Sequence, residues 1–84
     1  RMIELENGYY INVDDMNHTL YYRQVSEKGK EYAKLVGYYT SIANALEAYY
    51  KISVAKKLET DTFTLKEAIE IMKSERERVE KLIG

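Results

Sequence analysis

The chain has 84 residues, of which 45% are hydrophobic and 32% charged, and its formal net charge is −1. This composition is typical of one small folded domain and excludes a disordered tail. The near-neutral charge argues against a protein whose main activity is non-specific nucleic-acid binding, because that activity needs a concentrated basic face. No apolar run approaches the roughly 20 residues of a membrane span, and cysteine is absent. We therefore predict a single cytoplasmic domain over residues 1–84.

The first half of the chain, residues 3–39, shows the two-residue alternation of an antiparallel sheet. Asn7-Gly8 is either a tight turn or a bulge within one longer first strand that continues through residues 9–13. Two further strands, over 19–26 and 31–39, follow polar turns. Short strands with short connections predict a three-stranded antiparallel meander.

Two amphipathic helices are predicted after the sheet. Thr40 or Ser41 can cap helix one, over 41–59, and a capping box that begins at Thr64 starts helix two, over 64–83. The predicted fold class is therefore α+β with the order βββαα, and helix one is expected to pack on one face of the sheet.

Each helix has a predicted buried stripe, set by the helical repeat of about 3.6 residues. The stripe of helix one contains Ile42, Ala45, Leu46, Tyr49, Ile52 and Ser53, whereas Val54 and Leu58 lie beside it and need contact with helix two. The stripe of helix two contains Leu65, Ala68, Ile69, Met72, Val79, Leu82 and Ile83, and Glu75 and Arg76 interrupt it. The seven-residue spacing within the second stripe also resembles a short coiled-coil seam. Packing within the chain is the favoured interpretation, which predicts a monomer or a weak homodimer through helix two.

Few residues could support catalysis. His18 is the only histidine, and it is predicted to lie in an exposed turn beside Asp14 and Asp15. Without a second histidine or any cysteine, the usual zinc ligand sets cannot form, and no phosphate-binding loop or nucleophile elbow is present. We predict a protein that is not an enzyme and that uses no cofactor and no metal.

Nine tyrosines give the strongest functional signal. Because side chains alternate along a strand, each tyrosine doublet points one ring to each face of the sheet. The face opposite the helices is predicted to carry a binding surface made of Tyr10, Tyr21, Arg23, Tyr32, Lys34 and Tyr38. Tyrosine also tolerates a solvated sheet surface, so a purely structural role is the competing interpretation. Tyrosines beside cations can instead anchor a protein partner or contact nucleic acid.

One resemblance covers most of the chain. Its residues are Gly37-Tyr38-Tyr39-Thr40-Ser41, Ala45-Leu46 and Leu65-Lys66-Glu67-Ala68-Ile69. A short sheet followed by these segments resembles small uncharacterised proteins of bacteriophages and prophages. This resemblance implies an accessory protein that binds a host or defence protein in the host cytoplasm, with an anti-defence role possible.

A second resemblance covers residues 9–58. This segment is similar to the three-stranded-sheet DNA-binding domains of the AP2 type and of integrase amino-terminal arms, in which a glycine-plus-aromatic strand end precedes a helix with alanine and tyrosine. The matching residues are Val36-Gly37-Tyr38-Tyr39, Thr40, Ala45, Ala48 and Tyr49. The first resemblance and the tyrosines make protein binding the leading hypothesis, and the second makes DNA binding through the sheet the alternative.

Overall fold

A computed structural model describes residues 1–82 as an antiparallel sheet followed by two helices. This confirms the α+β class, but the sheet has four strands instead of three. The elements are β1 (Met2–Glu4), β2 (Tyr9–Val13), β3 (His18–Val25), β4 (Glu31–Tyr39), α1 (Ile42–Leu58) and α2 (Leu65–Glu80). Ile83, assigned to the stripe of helix two, lies outside the described residues.

The chain divides into two compact units, and the boundary lies within α1 between Ala45 and Leu46. The first unit contains the sheet, and the second contains most of α1 together with α2. The prediction of a single domain stays a prediction. No helix within residues 1–82 is both long enough and apolar enough to cross a membrane.

The additional strand arises because Asn7-Gly8 forms a tight turn. Both residues have positive φ, 52° and 86°, and the Tyr9 amide donates to the Glu6 carbonyl over 2.9 Å. Positive φ at both central positions is the pattern of a type I′ hairpin turn. The turn pairs β1 with β2 and gives the strand order β1-β2-β3-β4.

A β-bulge at Val36 changes the alternation of β4. Leu20 pairs with Gly37, whereas the next residue of β3, Tyr21, pairs with Leu35. Val36 is therefore the extra residue, and side chains beyond it point to the opposite face from the one that simple alternation assigns.

The pairing register defines two faces, since residues paired directly across an antiparallel sheet share a face. The buried face includes Tyr9, Ile11 and Leu20, of which Ile11 and Leu20 have no exposed surface. The other face, called the tyrosine face below, consists of Met2, Glu4, Tyr10, Asn12, Thr19, Tyr21, Arg23, Val25, Glu31, Ala33, Leu35 and Tyr38.

Both predicted helix starts are confirmed. The Ser41 hydroxyl accepts a hydrogen bond from the Asn44 amide at 3.1 Å. At α2 the Thr64 hydroxyl accepts from the Glu67 amide at 3.1 Å, while the Glu67 carboxylate accepts from the Thr64 amide at 3.0 Å. These bonds satisfy amides that have no partner within the helix itself.

The predicted stripe is correct for α1 but wrong for much of α2. Ala45, Tyr49 and Ser53 are buried on α1, and so are Tyr50 and Val54. On α2 the buried residues are Glu75 and Val79, whereas Leu65, Ile69 and Met72 are 78%, 42% and 42% exposed. Ala68, Ile71, Arg78 and Leu82 are half-buried. The buried side of α2 is thus rotated away from its most apolar stripe.

We expect Gly8→Ala to destabilise the protein more than Gly29→Ala. Both glycines have positive φ, so alanine at either site costs about 1–2 kcal/mol of backbone strain. A Cβ at Gly8 would also meet the Arg23 carbonyl oxygen at 3.2 Å and the Tyr22 ring at 3.3 Å, whereas nothing lies within 4 Å at Gly29. Urea denaturation of both variants measures the difference, and equal losses would contradict a tight contact at Gly8.

Candidate functional site

The centre of the tyrosine face is a stack of two aromatic rings beside one cation. The rings of Tyr10 and Tyr21, on adjacent strands, have centroids 5.3 Å apart and an interplanar angle of 19°. The Arg23 guanidinium lies 4.4 Å from the centroid of the Tyr10 ring. Offset stacking and cation–π contacts stabilise this arrangement and restrict the side-chain rotamers.

Glu4 of β1 neutralises the Arg23 charge. The two guanidinium nitrogens donate to the two Glu4 carboxylate oxygens over 2.9 and 2.7 Å. These hydrogen bonds lower the pKa of Glu4 and raise the pKa of Arg23. The paired, planar geometry holds the guanidinium over the ring, and the pair adds no net charge to the face.

Exposed apolar side chains surround this centre. Met2, Leu35 and Tyr38 are all exposed, and Tyr38 has 64% of its surface accessible. Thr19, on the same face, is buried, with 3% exposed. The tyrosine face therefore combines a packed interior with large accessible apolar groups, an arrangement found in protein-binding surfaces.

The structure brings four of the six predicted binding residues together. Tyr10, Tyr21, Arg23 and Tyr38 share the tyrosine face, whereas Tyr32 and Lys34 lie on the opposite one, paired with Gln24 and Tyr22. The prediction of one shared face is wrong for those two residues. The prediction assumed unbroken alternation through β4. The bulge at Val36 instead places Tyr38 on the same face as Ala33 and Leu35, and leaves Tyr32 and Lys34 on the other face.

The same bulge explains a residue that the sequence analysis missed. Leu35 was not among the predicted binding residues, but it pairs with Tyr21 on the tyrosine face. Met2 and Glu4 were missed because the strand that contains them was not separated from β2. The Asn7-Gly8 dipeptide was the available signal, since it is a strong hairpin marker; no comparable signal marks the bulge.

His18 does not lie in an exposed turn. It is the first residue of β3 and pairs with Val13 and Tyr39. Its Nδ1 is buried and has no hydrogen-bond partner within residues 1–82. Asp14 does form the predicted turn, because its carboxylate accepts from the Met16 and Asn17 amides at 3.0 and 2.8 Å. These bonds lower the pKa of Asp14.

No group of three potential metal ligands is present among residues 1–82. A cluster of charged side chains lies between α1 and α2 instead. It is centred on Glu75, which has no exposed surface.

Glu75 is held by a network of hydrogen bonds and ion pairs. Its carboxylate accepts from the Ser53 hydroxyl at 2.5 Å and from Arg78 at 2.6 Å, and the Lys57 ammonium lies 2.6 Å away. Arg78 also donates to the Ser53 hydroxyl at 3.0 Å. Every polar group of the network has a partner, as a buried charge requires.

This network lowers the pKa of Glu75 to about 2, with the Arg78 hydrogen bonds as the largest cause. The Lys57 and Ser53 bonds act in the same direction, against the effect of burial. The Ser53 hydroxyl donates a hydrogen bond to the Glu75 carboxylate, and the cations lie at the edge of that carboxylate. The network therefore stabilises the packing of the two helices, and Ser53 is not placed as an exposed nucleophile.

Comparisons with known proteins gave no relative. No family model matches the chain, and neither the curated proteins nor the solved structures include a significant match. The resemblances to phage proteins and to AP2 or integrase-arm domains therefore stay predictions.

We expect Glu75→Gln to be destabilising at neutral pH and nearly neutral near pH 2. The folded-state pKa of Glu75, about 2, lies below the ordinary value of 4.5. The ionised network therefore stabilises the fold above about pH 4.5, and this contribution is lost as the pH falls towards 2. The shift corresponds to at most roughly 3 kcal/mol.

The measurement is the free energy of unfolding at a series of pH values for the wild type, Glu75→Gln and Glu70→Gln. Glu70 is an exposed carboxylate of the same helix, so its substitution should leave the pH profile unchanged. If the stability of Glu75→Gln depended on pH in the same way as that of the wild type, the result would contradict the prediction, because the network would then not favour the charged form of the carboxylate.

Proposed function

We propose that this chain is a small non-enzymatic module that binds a partner protein through its tyrosine face. The observation that supports this proposal is the exposed Leu35 and Tyr38 beside the Tyr10–Tyr21 stack, whose neighbouring cation is already paired. Ordered tyrosine rings offer a large contact area at a low entropic cost. Arginine held in place by Glu4 adds directional hydrogen-bond donors.

The charge of the face favours a protein partner over nucleic acid. Within residues 1–82, Arg23 is the only cation on the tyrosine face, and Glu4 pairs with it. Lys34, expected to be the second cation, lies on the other face. Binding to the phosphate backbone depends on several cations that release counterions, so DNA binding is the weaker alternative.

We expect Tyr38→Ala to weaken partner binding about tenfold or more, since truncation of an exposed aromatic anchor commonly costs 1–2 kcal/mol or more. Tyr32→Ala is a matched control. Tyr32 lies on the same strand and is comparably exposed, 50% against 64% for Tyr38, but it belongs to the opposite face. Both variants should keep the wild-type melting temperature.

The experiment compares the proteins captured from a lysate by the wild type and by each variant, followed by titration of the purified partner. Loss with Tyr38→Ala but not with Tyr32→Ala supports the proposal. Equal binding by all three would refute it. A parallel titration with duplex DNA at low and moderate salt tests the alternative, for which salt-sensitive binding that depends on Arg23 is the required result.

A further inference from the structure

A solvent-open groove of about 380 Å³ lies between the two helices of the second unit, and none of its lining residues belongs to the tyrosine face. Its apolar lining is contributed by Tyr50, Val54, Ala55 and Leu58 of α1 and by Met72 of α2. Glu47, Lys51 and Arg76 complete the lining. A groove of this size is in the range of ligand-binding sites, roughly 300–1,000 Å³.

One end of the groove is held in place by a fixed set of polar contacts. Arg76 donates to both carboxylate oxygens of Glu47 at 3.1 Å, and its guanidinium lies 4.2 Å from the Tyr50 ring centroid. The Tyr50 hydroxyl donates to the Met72 carbonyl at 3.2 Å. Because these groups satisfy one another, they leave the apolar floor as the main feature available to a ligand.

An exposed apolar stripe on α2 extends the groove. Leu65, Ile69 and Met72 follow the i, i+4, i+7 spacing of one helix face, all three are exposed, and Met72 also lines the groove. The stripe and the groove together offer apolar surface along roughly three helical turns, or about 16 Å. A single-residue ligand or a small metabolite would leave most of this surface exposed.

The backbone of the groove favours a helix over an extended peptide as the occupant. Both walls are α-helices, whose backbone amides and carbonyls are bonded within the helix except at the ends. An extended segment would bury its own amides without partners, which costs free energy. A helix satisfies its backbone groups internally and can insert one apolar face into such a groove.

The charged residues beside the groove indicate which charge the side chains of a bound helix should carry. Lys51 lies in the groove lining, and Lys66 and Lys73 follow directly after Leu65 and Met72 of the stripe. Within residues 1–82 no ion pair involves these three lysines. Glu47 is paired with Arg76. On α2, Glu70 and Glu77 lie about 40° further around the helix than Lys66 and Lys73, so the lysines are the charged residues nearer to the stripe.

We propose that this groove binds an amphipathic helix of a partner protein, about three to four turns long, with an aliphatic stripe flanked by carboxylates. The aliphatic stripe covers Val54, Leu58, Met72 and Ile69. The carboxylates meet Lys51 on one side and Lys66 and Lys73 on the other. This second surface does not depend on the tyrosine face, and either can be correct without the other.

The probe is a synthetic helical peptide of about 15 residues, with leucines at i, i+4, i+7 and i+11 and glutamates on both flanks. A second peptide has the same leucines with lysines in place of the glutamates. We expect the wild-type protein to bind the acidic peptide at least about tenfold more tightly, with an affinity that falls as salt is added. Equal affinity for both peptides would overturn the inference that the bound helix carries carboxylates on its flanks.

Charge reversal provides the sharper test. The double variant Lys51→Glu/Lys73→Glu, with two exposed sites, should lose the acidic peptide and bind the lysine peptide more tightly than the wild type does. Met72→Glu should weaken both by tenfold or more, and Ile69→Gln provides a second variant should Met72→Glu lower the melting temperature. Met16→Gln, at an exposed residue between β2 and β3, should bind as the wild type does.

A second copy of the chain is the main competing occupant. Sedimentation velocity of the wild type and Ile69→Gln over a range of concentrations distinguishes the two cases. A monomeric wild type that binds the acidic peptide supports the proposal. A wild-type dimer that Ile69→Gln dissociates, or an acidic peptide whose binding is unaffected by the lysine reversals, would overturn it.

Discussion

The carboxylate of Glu75 is the constraint that organises the helical unit. It has no exposed surface and is bound by groups from both helices, Ser53 and Lys57 from α1 and Arg78 from α2. A buried charge without partners would cost several kcal/mol, so α2 adopts the rotation that satisfies it. That rotation leaves the apolar residues Leu65, Ile69 and Met72 exposed. A carboxylate on a helix can therefore determine which apolar residues are available to a partner.

A comparable constraint acts in the sheet, where one extra residue changes the composition of a surface. Val36 has no cross-strand partner, and the strand keeps its pairing with β3 on either side of it. Tyr38 is thereby placed on the same face as Leu35, while Tyr32 and Lys34 are directed away from it. The tyrosine face consequently has one cation instead of two, and this difference favours a protein partner in the proposed function.

The two surfaces differ in their chemistry. The tyrosine face is an ordered aromatic patch whose cation, Arg23, is neutralised by Glu4. The groove and stripe of the helical unit are mainly aliphatic, and Lys51, Lys66 and Lys73 lie beside them. Aromatic and arginine side chains suit a flat hot-spot interface, and an aliphatic channel between helices suits another helix. The two proposed binding surfaces would therefore suit two different partners, or two parts of one partner.

Local patterns in the sequence determined the α+β class, the alternation of β2 and β3, the capping box at Thr64 and a helix start at Thr40 or Ser41. These features depend on neighbouring residues, so their signals lie within a few positions of each other. The bulge at Val36 and the rotation of α2 depend on cross-strand pairing and on contacts between Glu75 and a distant helix. Only the tertiary structure decided them. Alternation and helical periodicity depend on the spacing of apolar residues along the chain, so they do not reveal that a buried charge has partners or that a strand residue is unpaired. The exposed surfaces that we assign to binding follow from those two decisions.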